Sequence, residues 1–206
     1  MLVVFLGSIL SMRRIFVLAF FCLIALSLKA QEKPEGLFIN SKAPDFTAKD
    51  QQGNPVRLKE ILKNGPVVLV FYRGYWCPYC NKYLRKLEDS LQLIKEKGAQ
   101  LIAVTPERPE NIAKTVEKTK AGYTIVFDEN MKIMKGYEVA YEVDEKTIAR
   151  YKRADIDLGA VNGQKNAVFL PIPAIYIISR EGTVVYRFFD TDYKKRATVK
   201  EILENL

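Results

Sequence analysis

The chain has 206 residues, a formal net charge of +8, three cysteines and no histidine. Its length suits one domain, or one domain plus a processed segment, and the 49% hydrophobic and 27% charged fractions exclude wholesale disorder. Without histidine there is no Ser-His-Asp triad, no Cys-His pair and no imidazole metal ligand or proton shuttle. Chemistry near neutral pH then falls to cysteine, carboxylate, lysine, tyrosine or a cofactor.

Residues 15–28 form an apolar run directly after the basic pair Arg13-Arg14. The run is too short for a membrane span, which needs about 20 apolar residues, but it fits the core of a signal peptide. Small residues at Ser27 and Ala30 precede the polar Gln31-Glu32-Lys33-Pro34, so cleavage is expected after Ala30 and export follows, most simply to a bacterial periplasm. An uncleaved anchor is the alternative and would be the only membrane contact. Cleavage would remove Cys22 and three of the positive charges. A linker is then expected over 31–42 and a single domain over 43–206.

A strand is expected over 43–48, followed by a turn at Asp50-Gln51-Gln52-Gly53-Asn54-Pro55 and a second strand at 56–58. A brief helix over 59–63 stops at Asn64-Gly65-Pro66. The apolar, β-branched run 67–71 reads as a central strand buried on both faces. From Cys77, Leu84, Leu87, Leu91 and Ile94 fall at helical steps, and Gly98 closes that helix. Further strands are expected at 101–104 and 123–127, with a helix opened by Pro109-Glu110 between them. A short helix near 130–135 comes before an irregular or partly helical insertion over 141–167. A hairpin of 174–179 and 183–189 and a last helix, announced by the capping box Thr198-x-x-Glu201, complete an α/β sandwich with a mixed sheet.

Trp76-Cys77-Pro78-Tyr79-Cys80 stands where the buried strand 67–71 gives way to an amphipathic helix. A cysteine at a helix N-terminus meets unpaired N–H groups and the positive end of the dipole, both of which favour a thiolate; Cys77 is the expected nucleophile and Cys80 the resolving thiol. Pro78 suits the first helical turn. Arg73 would either add positive charge beside the thiolate or sit solvated in the loop. Trp76 would either form an apolar lid over the partner-binding surface or pack in the core. A zinc site is not expected, because two thiolates fall short of about four ligands. A Cys-x-x-Cys bridge closes so small a loop that it would make a poor structural staple, which leaves redox chemistry.

Residues 68–81, Val-Leu-Val-Phe-Tyr-Arg-Gly-Tyr-Trp-Cys-Pro-Tyr-Cys-Asn, resemble the peroxiredoxin-like branch of the alkyl hydroperoxide reductase/thiol-specific antioxidant (redoxin) family, within the thioredoxin superfamily. Ala43-Pro44-Asp45-Phe46 with Gly53, Thr105-Pro106, Phe127-Asp128 and Leu170-Pro171-Ile172-Pro173-Ala174 follow in the family's order. The resemblance implies a thioredoxin-like fold: a mixed central sheet flanked by helices, with an N-terminal hairpin and an insertion before the strand that begins at a cis-proline. It implies that Pro173 is that cis-proline and that the backbone of Ile172 pairs with an extended substrate. It also places Tyr193 and Arg196 on the rim of the site, and implies no cofactor. The peroxide-binding Pro-x-x-x-Thr/Ser-x-x-Cys string of peroxiredoxins, laid on this chain, puts the reacting cysteine at Cys80, with Cys77 where the hydroxyl belongs and Arg73 where the proline belongs.

The expected activity is therefore thiol–disulfide exchange with protein or small thiol partners, by way of Cys77 and Cys80, with Arg73, Trp76, Pro78, Tyr79, Ile172 and Pro173 shaping the binding surface. Thiol-dependent reduction of hydrogen peroxide or alkyl hydroperoxides is the alternative, and a non-catalytic redox-sensing module is a third. The redox partner would be a thioredoxin-like donor or substrate. Positive charge is scattered along the helices without interleaved aromatics, so no nucleic-acid site is expected.

Overall fold

Val67, Val68, Leu69, Val70 and Phe71 are all buried and alternate between two apolar layers. This is what a strand covered by helices on both sides requires. The computed structural model describes residues 33–206, of which Pro34–Leu206 form one unit. The expected signal segment, Cys22 and the first residues of the linker lie outside the described residues.

Nine strands are described: β1 Thr47–Asp50, β2 Pro55–Arg57, β3 Val67–Phe71, β4 Gln100–Thr105, β5 Thr124–Phe127, β6 Ala140–Glu142, β7 Phe169–Pro171, β8 Ala174–Ile178 and β9 Val184–Phe189. Eight α-helices accompany them: α1 Leu58–Leu62, α2 Pro78–Asp89, α3 Leu91–Glu96, α4 Pro109–Thr119, α5 Lys132–Gly136, α6 Glu145–Lys152, α7 Leu158–Asn162 and α8 Val199–Glu204. Seven strands make one sheet in the order β2-β1-β5-β4-β3-β8-β9, with β3, β4 and β5 parallel and the other pairings antiparallel. On one face Val68, Val70, Ala103, Ile125 and Ile175 meet Leu84 and Leu87 of α2, Ile112 of α4 and Ile202 of α8. On the other, Val67, Leu69, Phe71, Ile102 and Tyr176 meet Leu58 and Leu62 of α1 and Ile133 and Met134 of α5.

Several expectations shift in detail. The expected strand 43–48 begins only at Thr47, because Ala43 donates its N–H to Gly182 O and Asp45 turns its carboxylate to the N–H groups of Phe46 and Lys59. The expected helix from Cys77 to Gly98 breaks at Ser90 into α2 and α3, yet Leu84, Leu87, Leu91 and Ile94 stay buried on the same face. Residues 33–42, expected as a linker, run along the β8–β9 side of the sheet. Leu37 N donates to the Tyr176 hydroxyl and Asn40 N to Val184 O. Gly36 passes so close that a Cβ there would stand 2.5 Å from that hydroxyl, so only glycine fits.

The insertion expected to be irregular or partly helical takes the partly helical form. The β6–β7 ribbon closes it, and α6 and α7 are each opened by an aspartate N-cap: Asp144 accepts Thr147 N and Asp157 accepts Ala160 N. Val143, Leu158, Val168 and Leu170 form a satellite core against Trp76, Ile148 and Tyr151.

All described peptide bonds are trans, including the one before Pro173, which corrects the expected cis-proline. Two residues join β7 to β8, and Pro173 lies between the strands, where its missing N–H removes no ladder bond. The Ile172 N–H donates to Val139 O at 2.8 Å, so any pairing of this backbone with an extended substrate would fall to its carbonyl.

Asp128, buried after β5, accepts Ile133 N and Met134 N at 2.8 Å each and so fixes α5 against the core. Burial pushes its pKa up to about 6 even though backbone N–H groups of α5 stabilise the anion. Asp128→Ala leaves those two donors unpaired and is expected to lower stability by about 1–3 kcal/mol, read as a lower urea midpoint at pH 7.5. Asp128→Asn, which keeps an acceptor oxygen, should recover part of the loss.

Candidate active site

The site is built where β3 and β4 end side by side. Tyr72 N donates to Val104 O and prolongs the pairing by one residue, after which Arg73-Gly74-Tyr75-Trp76 turn the chain into α2. The Tyr75 peptide is clamped on both sides. Its N–H donates to Glu107 Oε1 at 2.7 Å, and its carbonyl accepts Asn81 Nδ2 at 2.7 Å and Lys118 Nζ at 3.2 Å. Cys77 is the N-cap of α2 and Pro78 its first residue; the Cys77 sulfur accepts Cys80 N–H at 3.3 Å. The local rule read from the sequence therefore holds: a cysteine and a proline open the helix.

Both thiols are free and buried, with 2% and 1% of their surfaces exposed, so neither is open to a bulky molecule in this conformation. The surroundings favour ionisation of Cys80 over Cys77, the sulfur expected to carry the charge. A hydrogen bond to Cys80 together with burial pushes the Cys77 thiol up. For Cys80, burial opposes ionisation but is outweighed by the hydrogen bond from Cys77, the Arg196 guanidinium, the Arg73 backbone N–H and the Arg73 charge, and the group is drawn below its ordinary value. Arg196 Nη2 lies 3.5 Å from Cys80 Sγ, and its Nη1 donates to the carbonyls of Tyr193 and Lys195, which aim it at the sulfur. Cys77 occupies the N-cap, but Cys80 on the first turn collects more donors and the nearer cation.

Arg73 is buried, not solvated. Its Nη2 donates to the Tyr151 hydroxyl at 2.7 Å, and its guanidinium lies 4.4 Å from the Tyr193 ring centre and 4.9 Å from that of Trp76. Trp76 takes the second of its expected roles, packing on both the main core and the satellite core, with Tyr151 edge-on at 4.8 Å. Tyr79 is exposed and stands edge-on to Tyr193 at 5.8 Å, so this pair forms the open rim beside Cys80. Arg196, expected on that rim, reaches in to the sulfur itself.

Sequence reasoning missed Tyr151, Thr115 and Glu107. The signal for Glu107 was its place just after the parallel strand β4, since the carboxyl ends of parallel strands are where α/β sheets build their sites. Among the described residues no group of three or more cysteines and carboxylates is placed to hold a metal ion.

A mixed sheet with helices on both faces and a Cys-x-x-Cys at the start of the helix after a central strand defines a thioredoxin-like α/β protein. The AhpC/TSA family matches residues 39–187, and the chain belongs to that family. The chloroplastic peroxiredoxin Q of Sedum lineare is 34% identical over 99 residues, covering 48% of this chain and 53% of that protein. The corresponding protein of Suaeda salsa is 27% identical over 166 residues, covering 81% of this chain and 66% of the relative. The chain thus spans about half the length of the first of these relatives. Among solved structures, peroxidoxin BcpB of Mycobacterium tuberculosis superposes with a TM-score of 0.61 at 20% identity, covering 81% of this chain and 94% of its own. Peroxiredoxin 6 of Arenicola marina gives 0.65 at 18% identity, covering 82% and 71%. These two likenesses carry the fold.

Proposed function

We propose that the chain is a thiol-dependent peroxidase in which Cys80 attacks the peroxide and Cys77 resolves the product. The observation that carries this reading is the Arg196 guanidinium 3.5 Å from Cys80 Sγ, a cation that with the Arg73 backbone N–H favours the Cys80 thiolate. The Cys80 thiolate displaces an alkoxide or hydroxide from the O–O bond. A sulfur–oxygen bond forms, the oxygen–oxygen bond breaks, and the leaving oxygen takes a proton from water, leaving Cys80 as sulfenic acid. The Cys77 thiol then attacks that sulfur, a disulfide forms and water leaves. Two thiol–disulfide exchanges with an external dithiol restore the pair.

Burial of both sulfurs favours a small oxidant over a folded disulfide substrate as the first reactant. The Cys77 thiol, one helical turn before Cys80 and donating to its sulfur, stands where the family string carries a hydroxyl and supplies a donor in its place. Peroxiredoxin relatives support the same chemistry, and a thioredoxin-like protein is the natural dithiol donor. The apolar run and Ala30 site support export to a periplasm, where such a donor would have to be supplied.

The test compares hydrogen peroxide consumption with a dithiol donor against reduction of a protein disulfide such as insulin's. Peroxide turnover well above that of the free dithiol is expected. Insulin reduction without peroxide turnover would return the chain to Cys77-led disulfide exchange.

A further inference from the structure

Glu107 lies in the loop between β4 and α4, behind the turn that carries Cys77, and is wholly buried. The dithiol chemistry does not call on it. Its Oε1 accepts the Tyr75 N–H at 2.7 Å, its Oε2 accepts the Thr115 hydroxyl at 3.2 Å, and its own N–H donates to the Thr105 hydroxyl at 3.3 Å. A Cβ at Gly74 would stand 2.7 Å from Oε1, so the turn is packed directly on the carboxyl group. The neighbouring cations are engaged elsewhere. Lys118 reaches the Tyr75 carbonyl, Lys114 lies over the Tyr75 ring and Arg108 pairs with Glu110. An anion with hydrogen-bond donors but no cation is costly to hold in such a place. Burial pushes the Glu107 pKa up to about 7, and a negative Cys80 adds to the effect.

We propose that Glu107 is a positioning residue that fixes the Tyr75 peptide and whose charge state sets how readily Cys80 forms its thiolate. Two negative charges in one dry region repel, so the site at neutral pH carries one charge more easily than two. The favoured arrangement is the Cys80 thiolate with Glu107 protonated. When Cys80 is oxidised its charge leaves, and Glu107 then gives up its proton at lower pH. Other groups face the pair. Cys77, Arg73, Arg196 and Tyr83 surround Cys80; Tyr72, Thr105 and Thr115 surround the carboxyl; Tyr141 and Tyr151 act on Arg73. The inference rests on Cys80 being the ionised thiol, and does not depend on which oxidant it meets.

The experiment follows the ultraviolet absorbance of the Cys80 thiolate against pH in the full chain carrying Cys77→Ser, which keeps a donor beside the sulfur. The expected titration is broad and two-stepped, the second step belonging to Glu107. Adding Glu107→Gln keeps an acceptor for Tyr75 but removes the charge, and should give a single step with its midpoint lower by about half a pH unit or more. Superimposable titrations with and without Glu107→Gln would overturn the coupling alone. Absence of any thiolate signal below the ordinary thiol range would overturn both the coupling and the assignment of Cys80. Should the Gln variant not fold, the unmodified chain with ¹³C-labelled glutamate carboxyls gives the reciprocal reading. Linkage requires the Glu107 midpoint to be lower in the disulfide form than in the dithiol form, and equal midpoints would overturn the proposal.

Discussion

A Cys80→Ser chain is expected to consume peroxide no faster than the dithiol donor alone, a loss on the order of 10⁴-fold in kcat/KM. The serine hydroxyl is not ionised near neutral pH, so neither Arg196 nor the Arg73 N–H has an anion to stabilise, and the attack on the O–O bond has no nucleophile. Cys77→Ser should behave differently. Its Cys80 still lies 3.5 Å from Arg196 Nη2, so one equivalent of peroxide should react and leave sulfenic acid that a dimedone-type reagent captures and mass spectrometry counts. Turnover would then stall for want of a resolving thiol. The reverse pattern, with Cys80→Ser active and Cys77→Ser inert toward the first equivalent, would assign the attack to Cys77 and sink the proposed order of events.

Arg196→Met is expected to move the acid limb of the pH–rate profile upward and to reduce the initial rate at pH 7 by roughly 10-fold or more, since an opposite charge close to a thiol is worth about 1–3 pKa units. The sign follows from the direction of the shift. Arg196 lowers the Cys80 pKa, so its removal raises that pKa, and at fixed pH less thiolate remains. Arg196→Lys should keep part of the effect. Its ammonium supplies charge but cannot grip the Tyr193 and Lys195 carbonyls while reaching Cys80, so the profile should fall between the two. Initial rates between pH 5 and 9 make the comparison. A profile unchanged in Arg196→Met would remove Arg196 from the site and leave Arg73 as the sole cation near the sulfur.

Much of the architecture was legible because it rests on local patterns. The run 67–71 is β-branched and apolar without a break, and it became the central strand; Thr198-x-x-Glu201 became the capping box of α8, with Thr198 Oγ1 accepting Glu201 N. The Cys-Pro pair at the start of α2 was equally local. What escaped is long-range. The balance between the two sulfurs depends in part on Arg196, 116 residues beyond Cys80, whereas helix-start reasoning alone points to Cys77. Glu107 became part of the site only because β4 runs parallel beside β3. Helices α6 and α7 were hidden in a polar stretch whose one clear sign was an aspartate three residues before a paired N–H, at Asp144 and Asp157. Pro173 shows the opposite error, in which an expectation carried from the family was overruled by the path of this chain.

Helix α6 brings no fully buried residue of its own to the fold, yet Tyr151 from it touches both Arg73 and Trp76 in the turn that leads to the two thiols. Detaching so lightly anchored a segment asks for far less free energy than melting the sheet beneath it. On the proposed chemistry, the two substrates then follow different routes. A peroxide, being small, would reach the sulfurs with the helix in place, whereas a protein reductant would need it to lift. The enzyme would sort oxidant from reductant by size, and the frequency with which α6 opens would cap the rate of regeneration without touching the rate of oxidation.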